Sequence, residues 1–279
     1  MTASAARTRH TPRSLWLPAG AMVTAVYVAF IGLPLLALVI RAVLADGFPS
    51  SLTTPIAMRA LRLSLLTSIA SVVVIVLVGT PVAYLLARRT TRVLRTVDLL
   101  IEMPLVLPPV VAGVAMLMAF GRRGLLGGPL EAVGLSLPFT TAAVVFAQVF
   151  VAAPFFIRAA KIGFQSVDTE LEEISQTLGH SPWTTFWRLT LPLSWPALAG
   201  GLALSWARAL SEFGATIMFA GNFLDRTQTM PLAILTAMES DVAAALGLGL
   251  MLLVASAFVL VILGLVARAR FNGPPGVGP

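Results

Sequence analysis

Residues 63–87 read LSLLTSIASVVVIVLVGTPVAYLLA, with no charged side chain between Arg62 and Arg88. A helix needs about 20 predominantly apolar residues to cross the hydrocarbon core of a bilayer, and this run is long enough. Five other runs qualify on the same measure: Leu17 to Ile40, Leu99 to Phe120, Thr140 to Ile157, Leu193 to Ala220 and Val242 to Ala267. The composition agrees. Of 279 residues, 58% are hydrophobic and 11% charged, and the mean hydropathy is +0.93. That is more apolar surface than a soluble domain of this length can bury. The expected fold is an all-α membrane protein with six transmembrane helices over 17–267, flanked by tails at 1–16 and 268–279. Pro34, Pro81, Pro104, Pro108 and Pro109 fall in or near these runs. They do not argue against spanning, because neighbouring helices can satisfy the carbonyls they free.

The formal charge of +7 does not form a nucleic-acid face, since the basic residues sit in short clusters beside the apolar runs. Arg7, Arg9 and Arg13 precede the first run as in a signal peptide, but the run is too long for a signal h-region and reads as an uncleaved span. An amino terminus in the cytoplasm puts inside the clusters Arg7, Arg9 and Arg13; Arg88, Arg89, Arg92 and Arg95; Arg158, Lys161 and Arg188; and Arg268 and Arg270. Only Arg41, Arg59, Arg62, Arg122, Arg123 and Arg226 then lie outside. That two-to-one excess places both termini in the cytoplasm, with Arg59 and Arg62 a local exception. The Gly/Pro-rich stretch from Gly273 to Pro279 is expected to be disordered.

The longest inside segment, 158–192, carries helix signals of its own. Thr169 and Glu172 have capping-box spacing, and Leu171, Ile174 and Leu178 recur on one helical face. Gly179 supplies a stop, and Ser181-Pro182 reads as an N-cap with proline at the first helical position. Trp183, Phe186 and Trp187 then share a second apolar face. Asp168, Glu170, Glu172 and Glu173 make this helix-turn-helix acidic on a basic chain. Helices this short are marginal without a surface to pack on.

At this point the chain resembles the importer permeases of the ATP-binding-cassette (ABC) class. Their cytoplasmic signature is Glu-Ala-Ala, three residues, Gly, nine residues, Ile, one residue, Leu-Pro. Glu173-Ile174-Ser175, then Gly179, then Leu189-Thr190-Leu191-Pro192 reproduces that spacing, with Ile174, Ser175 and Leu189 as the departures. The resemblance covers about Ala60 to Ala267. Residues 104–113 (PLVLPPVVAG), 208–216 (RALSEFGAT) with 219–222 (FAGN), and 227–233 (TQTMPLA) are similar to molybdate permeases, and sulfate permeases share part of the second segment. The resemblance implies a type I ABC importer permease that moves an oxyanion, molybdate with tungstate as a companion, or alternatively sulfate or thiosulfate. It also implies a bacterial or archaeal inner-membrane location and a pair of identical permeases. Two ATP-binding-cassette ATPase subunits and an extracytoplasmic oxyanion-binding protein complete the expected assembly. In the family the helix-turn-helix is the element that couples to the ATPase. That role falls here on Glu172, Glu173, Ile174, Ser175, Gly179, Leu189, Leu191 and Pro192.

What is missing agrees with a non-catalytic subunit. A phosphate-binding loop needs a Gly-Lys-Ser/Thr step, and the only lysine is Lys161, in Ala160-Lys161-Ile162. ATP and magnesium are therefore expected on the partner. With no cysteine and two histidines, His10 and His180, a metal site is not expected. An ion-coupled secondary transporter is the competing class, and it would show ionisable residues deep in its spans. The deepest charges here are Arg208 and Glu212, four residues apart and able to meet; Asp98 and Glu102 are expected at the interface. Arg208 lies ~22 Å along the helix from Leu193 at ~1.5 Å per residue. Arg208, Ser211, Glu212 and Thr216 are therefore candidates either for the translocation path or for a structural ion pair.

Overall fold

Two of the long apolar runs become helices that start on a threonine cap. The protein, described from a computed structural model that covers residues 16–45 and 53–269, is helical in every regular element of that range. Helices α1 (Trp16–Val43), α2 (Pro55–Arg88), α3 (Arg92–Val106), α4 (Pro109–Phe120), α5 (Gly127–Ala132) and α6 (Thr141–Gln165) make the first half. The second half holds α7 (Thr169–Thr177), α8 (Pro182–Thr185), a π turn (Phe186–Thr190), α9 (Leu191–Leu210), α10 (Gly214–Phe219), α11 (Met230–Ser240) and α12 (Val242–Ala269). Thr54 caps α2 by accepting from the Ala57 amide at 3.2 Å, and Pro55 follows at the first helical position. Thr140 caps α6 the same way, through the Ala143 amide at 3.2 Å. Because α2 starts at Pro55 and not at Leu63, Arg59 and Arg62 lie in its first two turns and not in a loop. The tails that carry Arg7, Arg9, Arg13 and Arg270 lie outside the described residues.

Among the described residues, four helices are long and apolar enough to cross a membrane: Gly20–Val43, Pro55–Arg88, Thr141–Gln165 and Val242–Leu265. The other two expected spans are each broken in two. Leu99–Phe120 divides into α3 and α4 at Leu107 and Pro108, since the adjacent prolines Pro108 and Pro109 remove two consecutive amide donors. Pro34, Pro81 and Pro104, which stand alone, remain inside helices. Leu193–Ala220 divides into α9 and α10 at Ser211–Phe213. The two breaks meet. A Cβ on Gly214 would lie 2.8 Å from Pro109 Cβ, and one on Gly113 would lie 2.7 Å from Met218 Cβ and 2.9 Å from Ala215 Cα. Only hydrogen at these positions lets α4 and α10 approach this closely.

Helix α6 is the hub. One stretch, with Phe156, Ala160 and Phe164, packs against Ile75, Ala83 and Leu86 of α2 and Leu198 of α9. The other, with Ala143, Val144 and Ala147, packs against Ala112 and Met116 of α4 and Phe219 of α10. Between them lies a polar seam that the hydropathy reading passes over. Ser64, Thr67, Ser68 and Ser71 recur at helical spacing on one face of α2, all buried. Ser71 Oγ donates to Gln148 Oε1 at 2.8 Å, and Trp206 Nε1 donates to Ser68 Oγ at 3.2 Å. Ser64 Oγ accepts the Met230 amide at 2.7 Å, and Ser205 Oγ donates to the Ala152 carbonyl at 2.9 Å. In lipid these bonds stitch α2, α6, α9 and α11 together at roughly 0.6 kcal/mol each. Of the adjacent glycines on α9, Gly201 lets the helix close on Ala159 of α6, whereas Gly200 meets nothing within 4 Å.

Gly113→Val should therefore force α4 off α10 and lower detergent-solubilised stability by about 1–3 kcal/mol. Gly200→Ala should leave the melting temperature unchanged or raise it, as loss of an exposed helical glycine gains up to about 1 kcal/mol. Circular-dichroism melts of the two variants compare these outcomes.

Candidate functional site

The segment between α6 and α9 folds as a helix, a glycine turn and a second helix. Asp168, not Thr169, is the N-cap of α7, accepting the Glu170 amide at 3.0 Å. The expected capping box therefore does not form: with Asp168 as the cap, Leu171 stands at the third helical position, and Glu172 bonds Arg88 and Thr190 instead. The exit from α7 is a Schellman turn: the His180 amide bonds the Ser175 carbonyl at 3.2 Å, and the Gly179 amide bonds the Gln176 carbonyl at 2.9 Å. Gly179 has φ +91°, a conformation any Cβ would strain. Ser181 caps α8 through the Thr184 amide, as its sequence predicts. The second helix is not separate, however. Through the π turn at Phe186–Thr190, α8 runs on into α9. Pro192 lacks an amide donor, and the wider π turn just before it relieves the clash of its ring with the preceding turn.

Glu172 turns inward. Its Oε1 lies 2.6 Å from Arg88 Nη2, at the end of α2, and accepts from Thr190 Oγ1 at 2.6 Å. Arg88 also donates to the Val167 carbonyl at 3.3 Å and lies 5.7 Å over the Tyr84 ring. Ser175 Oγ and Thr185 Oγ1 are 2.9 Å apart and tie α7 to α8. The helix pair is thus clamped to the bundle on one face. On the other face Leu171, Ile174 and Leu178 stand exposed, with Ile174 at 55% and Leu178 at 75%, beside exposed Glu170 and Glu173. Trp183, Phe186 and Trp187 pack on one another, and with Tyr84 and Trp195 they line an apolar cleft of about 720 Å³. Leu189 and Leu191 are half-buried, and Pro192 is exposed. Of the eight residues expected to couple, Ile174 and Glu173 face outward, whereas Glu172 and Ser175 hold the element in place.

The second group lies at the paired helix breaks. Arg208 Nη2 is 2.6 Å from Glu212 Oε2, the contact their spacing predicts. Glu212 lies beyond the end of α9, so the pair bridges the break instead of decorating one helix. Its other oxygen accepts the Ala215 amide at 2.7 Å and caps α10. Glu212 is fully buried, while the Arg208 side chain keeps 23% exposure and Ser211 is exposed. Thr216 is buried, and its hydroxyl has no hydrogen-bond partner among the described residues. Asp98, on α3, is paired with Lys161 of α6 at 2.5 Å. Sequence reasoning missed Arg88, Thr190 and Lys161 as partners. The serine and threonine spacing on α2 is the one signal that could have exposed the polar seam.

Residues 79–272 match the family model described as binding-protein-dependent transport system inner membrane component. The molybdenum transport system permease protein ModB of Mycobacterium tuberculosis is 45% identical over 257 residues, covering 92% of this chain and 94% of that protein. A probable sulfate transport system permease protein of Chlorokybus atmophyticus is 32% identical over 231 residues, covering 82% of this chain and 81% of that one. Among solved structures, a chain of a bacterial ABC transporter involved in import of the acidic polysaccharide alginate superposes with a TM-score of 0.74. The identity is 16%, and the superposition covers 94% of this chain and 97% of that chain.

Removing one partner of a shielded ion pair leaves the other uncompensated, at a cost of about 3–5 kcal/mol. Arg88→Met and Glu172→Leu should each cut thermal stability by that order, and the double variant should recover much of it. A double-mutant cycle in detergent measures the coupling.

Proposed function

The chain belongs to the family of binding-protein-dependent transport system inner membrane components, and from that premise we propose that it is the membrane-spanning permease of an ABC importer for molybdate. The similarity to a molybdenum permease along 92% of the chain carries this reading, and the fold shared with an ABC importer chain supports it. Tungstate, a dianion of the same shape, is a second substrate. The sulfate permease relative favours one alternative, sulfate or thiosulfate, at lower identity. The protein spans the inner membrane several times. In our reading it crosses six times, through four continuous helices and two broken ones, with both termini in the cytoplasm. It performs no chemistry itself. Two copies pair, two ATPase subunits bind ATP and magnesium beneath them, and an external oxyanion-binding protein delivers substrate.

The coupling element in this reading is α7–α8. A helix of nine residues is marginal alone, yet this one is capped at both ends, clamped through Glu172, and leaves an apolar stripe uncovered. An uncovered stripe beside acidic residues suits a groove on a partner protein. The pathway in this reading passes the helix breaks. Arg208 keeps part of its side chain exposed at the end of α9, where lipid would penalise a charge and a wet path would not. The half-helix α4, which begins at the Pro108 break, also presents its positive dipole end to an anion. Glu212 is the counter-ion that keeps Arg208 from holding that anion too tightly.

Proteoliposomes carrying the permease, its ATPase and the binding protein should take up molybdate only with ATP, and ionophores should not change the rate. Gly179→Val, which cannot adopt φ +91° without strain of roughly 1–2 kcal/mol, should uncouple ATP hydrolysis from uptake and weaken copurification of the ATPase. Uptake by the permease alone, driven by an ion gradient, would overturn the importer reading.

A further inference from the structure

Arg59 and Arg62 violate the charge rule that orients the rest of the chain, so two cations stand on the side otherwise poor in them. Both line a cavity of about 250 Å³ between the first turns of α2 and the loop 223–228. Gln228 forms a further polar wall, and Ile56, Leu63 and Leu224 form the apolar one. Arg59 Nη1 contacts Asp225 Oδ2 at 2.7 Å in an exposed pair. Among the described residues no carboxylate pairs with Arg62. Asp225 has φ +64°, an uncommon conformation for a residue with a side chain. Its loop does not depend on the ion pair. The Phe223 carbonyl accepts the amides of Arg226, Thr227 and Gln228 at 3.2, 3.0 and 3.0 Å, and Thr227 Oγ1 accepts the Phe223 amide at 2.9 Å. The side-chain Nε2 of Gln228 makes a long contact of 3.5 Å to Thr236 Oγ1, a weak bond that an anion can outcompete.

We propose that this cavity is a transient site for a tetrahedral oxyanion dianion on the entry side of the permease, held by Arg62, Arg59 and Gln228. Asp225 is the resident counter-ion that the dianion displaces. The inference rests on the oxyanion reading above and adds a substrate contact to it. Charge is the main ground. With Asp225 in place the cavity carries one net positive charge, and with Asp225 swung away it carries two, which matches a dianion. Guanidinium groups offer paired N–H donors to tetrahedral oxyanions, and a neutral amide adds a donor without further charge. A monoanion such as chloride gains too little to displace a carboxylate at 2.7 Å. The exchange also explains why the anion would not be trapped, because Asp225 remains tethered beside the site and can return.

The test is equilibrium binding of sodium molybdate and sodium sulfate to the detergent-solubilised permease–ATPase complex, without nucleotide or binding protein, by calorimetry. Dianion binding should be weak and should fall with added salt. Arg62→Gln should weaken it by roughly tenfold, the loss of one charge contact. Arg62→Lys should retain most of the affinity, and Asp225→Asn should strengthen it by removing the competitor. Arg62 is exposed, so melting temperatures should not move. If the three variants bind as the wild type does while the full reconstituted system imports molybdate, this site is overturned and the permease reading stands. If the wild-type system imports no oxyanion at all, the permease reading falls and the site with it.

Discussion

One buried carboxylate holds α2, α7 and the entry to α9 together. Glu172 takes Arg88 from the end of α2 and the Thr190 hydroxyl from the π turn on a single oxygen, both at 2.6 Å. Three segments distant in sequence are thereby fixed at one point: the last turn of the longest helix, the short helix α7 and the entry to α9. An ion pair in a partly dry site is directional and intolerant of separation. A push on α7 must therefore move α2 and α9 with it, or break the pair. Ser175 and Thr185 add a second tie, so α7 and α8 move together.

Under the proposed function, α6 and α9 are the elements that pass a displacement at that end to the helix breaks. Phe156 and Phe164 of α6 pack against α2 and α9, and the same helix presents Ala143 and Ala147 to α4 and α10. The polar seam of Ser68, Ser71, Gln148 and Trp206 fixes rotation among these helices more sharply than apolar packing would, since each bond has one geometry. At the far end of the lever, α4 and α10 meet through glycines with no slack, and Glu212 joins Arg208 to the start of α10. Closely packed elements shift between discrete arrangements more readily than they deform, which is the property a transporter needs.

Much of this was legible in the sequence, and the reasons are local. Residues 63–87 could only be a span, because nothing else accommodates so long a charge-free run. The Gly179 stop and the Ser181-Pro182 start appear as written, since caps depend on a few adjacent residues. The Arg208–Glu212 contact followed from spacing alone, though the helix end between them did not. What escaped depended on partners far along the chain. Asp168 and Thr169 are both good caps by residue type, and Glu172, expected to complete a box at Thr169, bonds Arg88 from 84 positions away. The third and fifth runs were hydrophobic enough to read as unbroken. Their breaks depend on two prolines in a row and on Gly214 seating against Pro109.

The claim on which everything else turns is that the exposed stripe of α7 seats on an ATPase and moves with it. The chain has no cysteine, so Thr177→Cys, on the exposed end of α7, accepts a single spin label per copy. The measurement is the electron–electron dipolar distance between the two labels in the assembled transporter, with and without a non-hydrolysable ATP analogue. The distance should shorten by several Å when nucleotide closes the ATPases, and the shortening should vanish in the Gly179→Val background. Superimposable distance distributions with and without nucleotide, in a complex that still imports molybdate, would contradict the coupling role of this element.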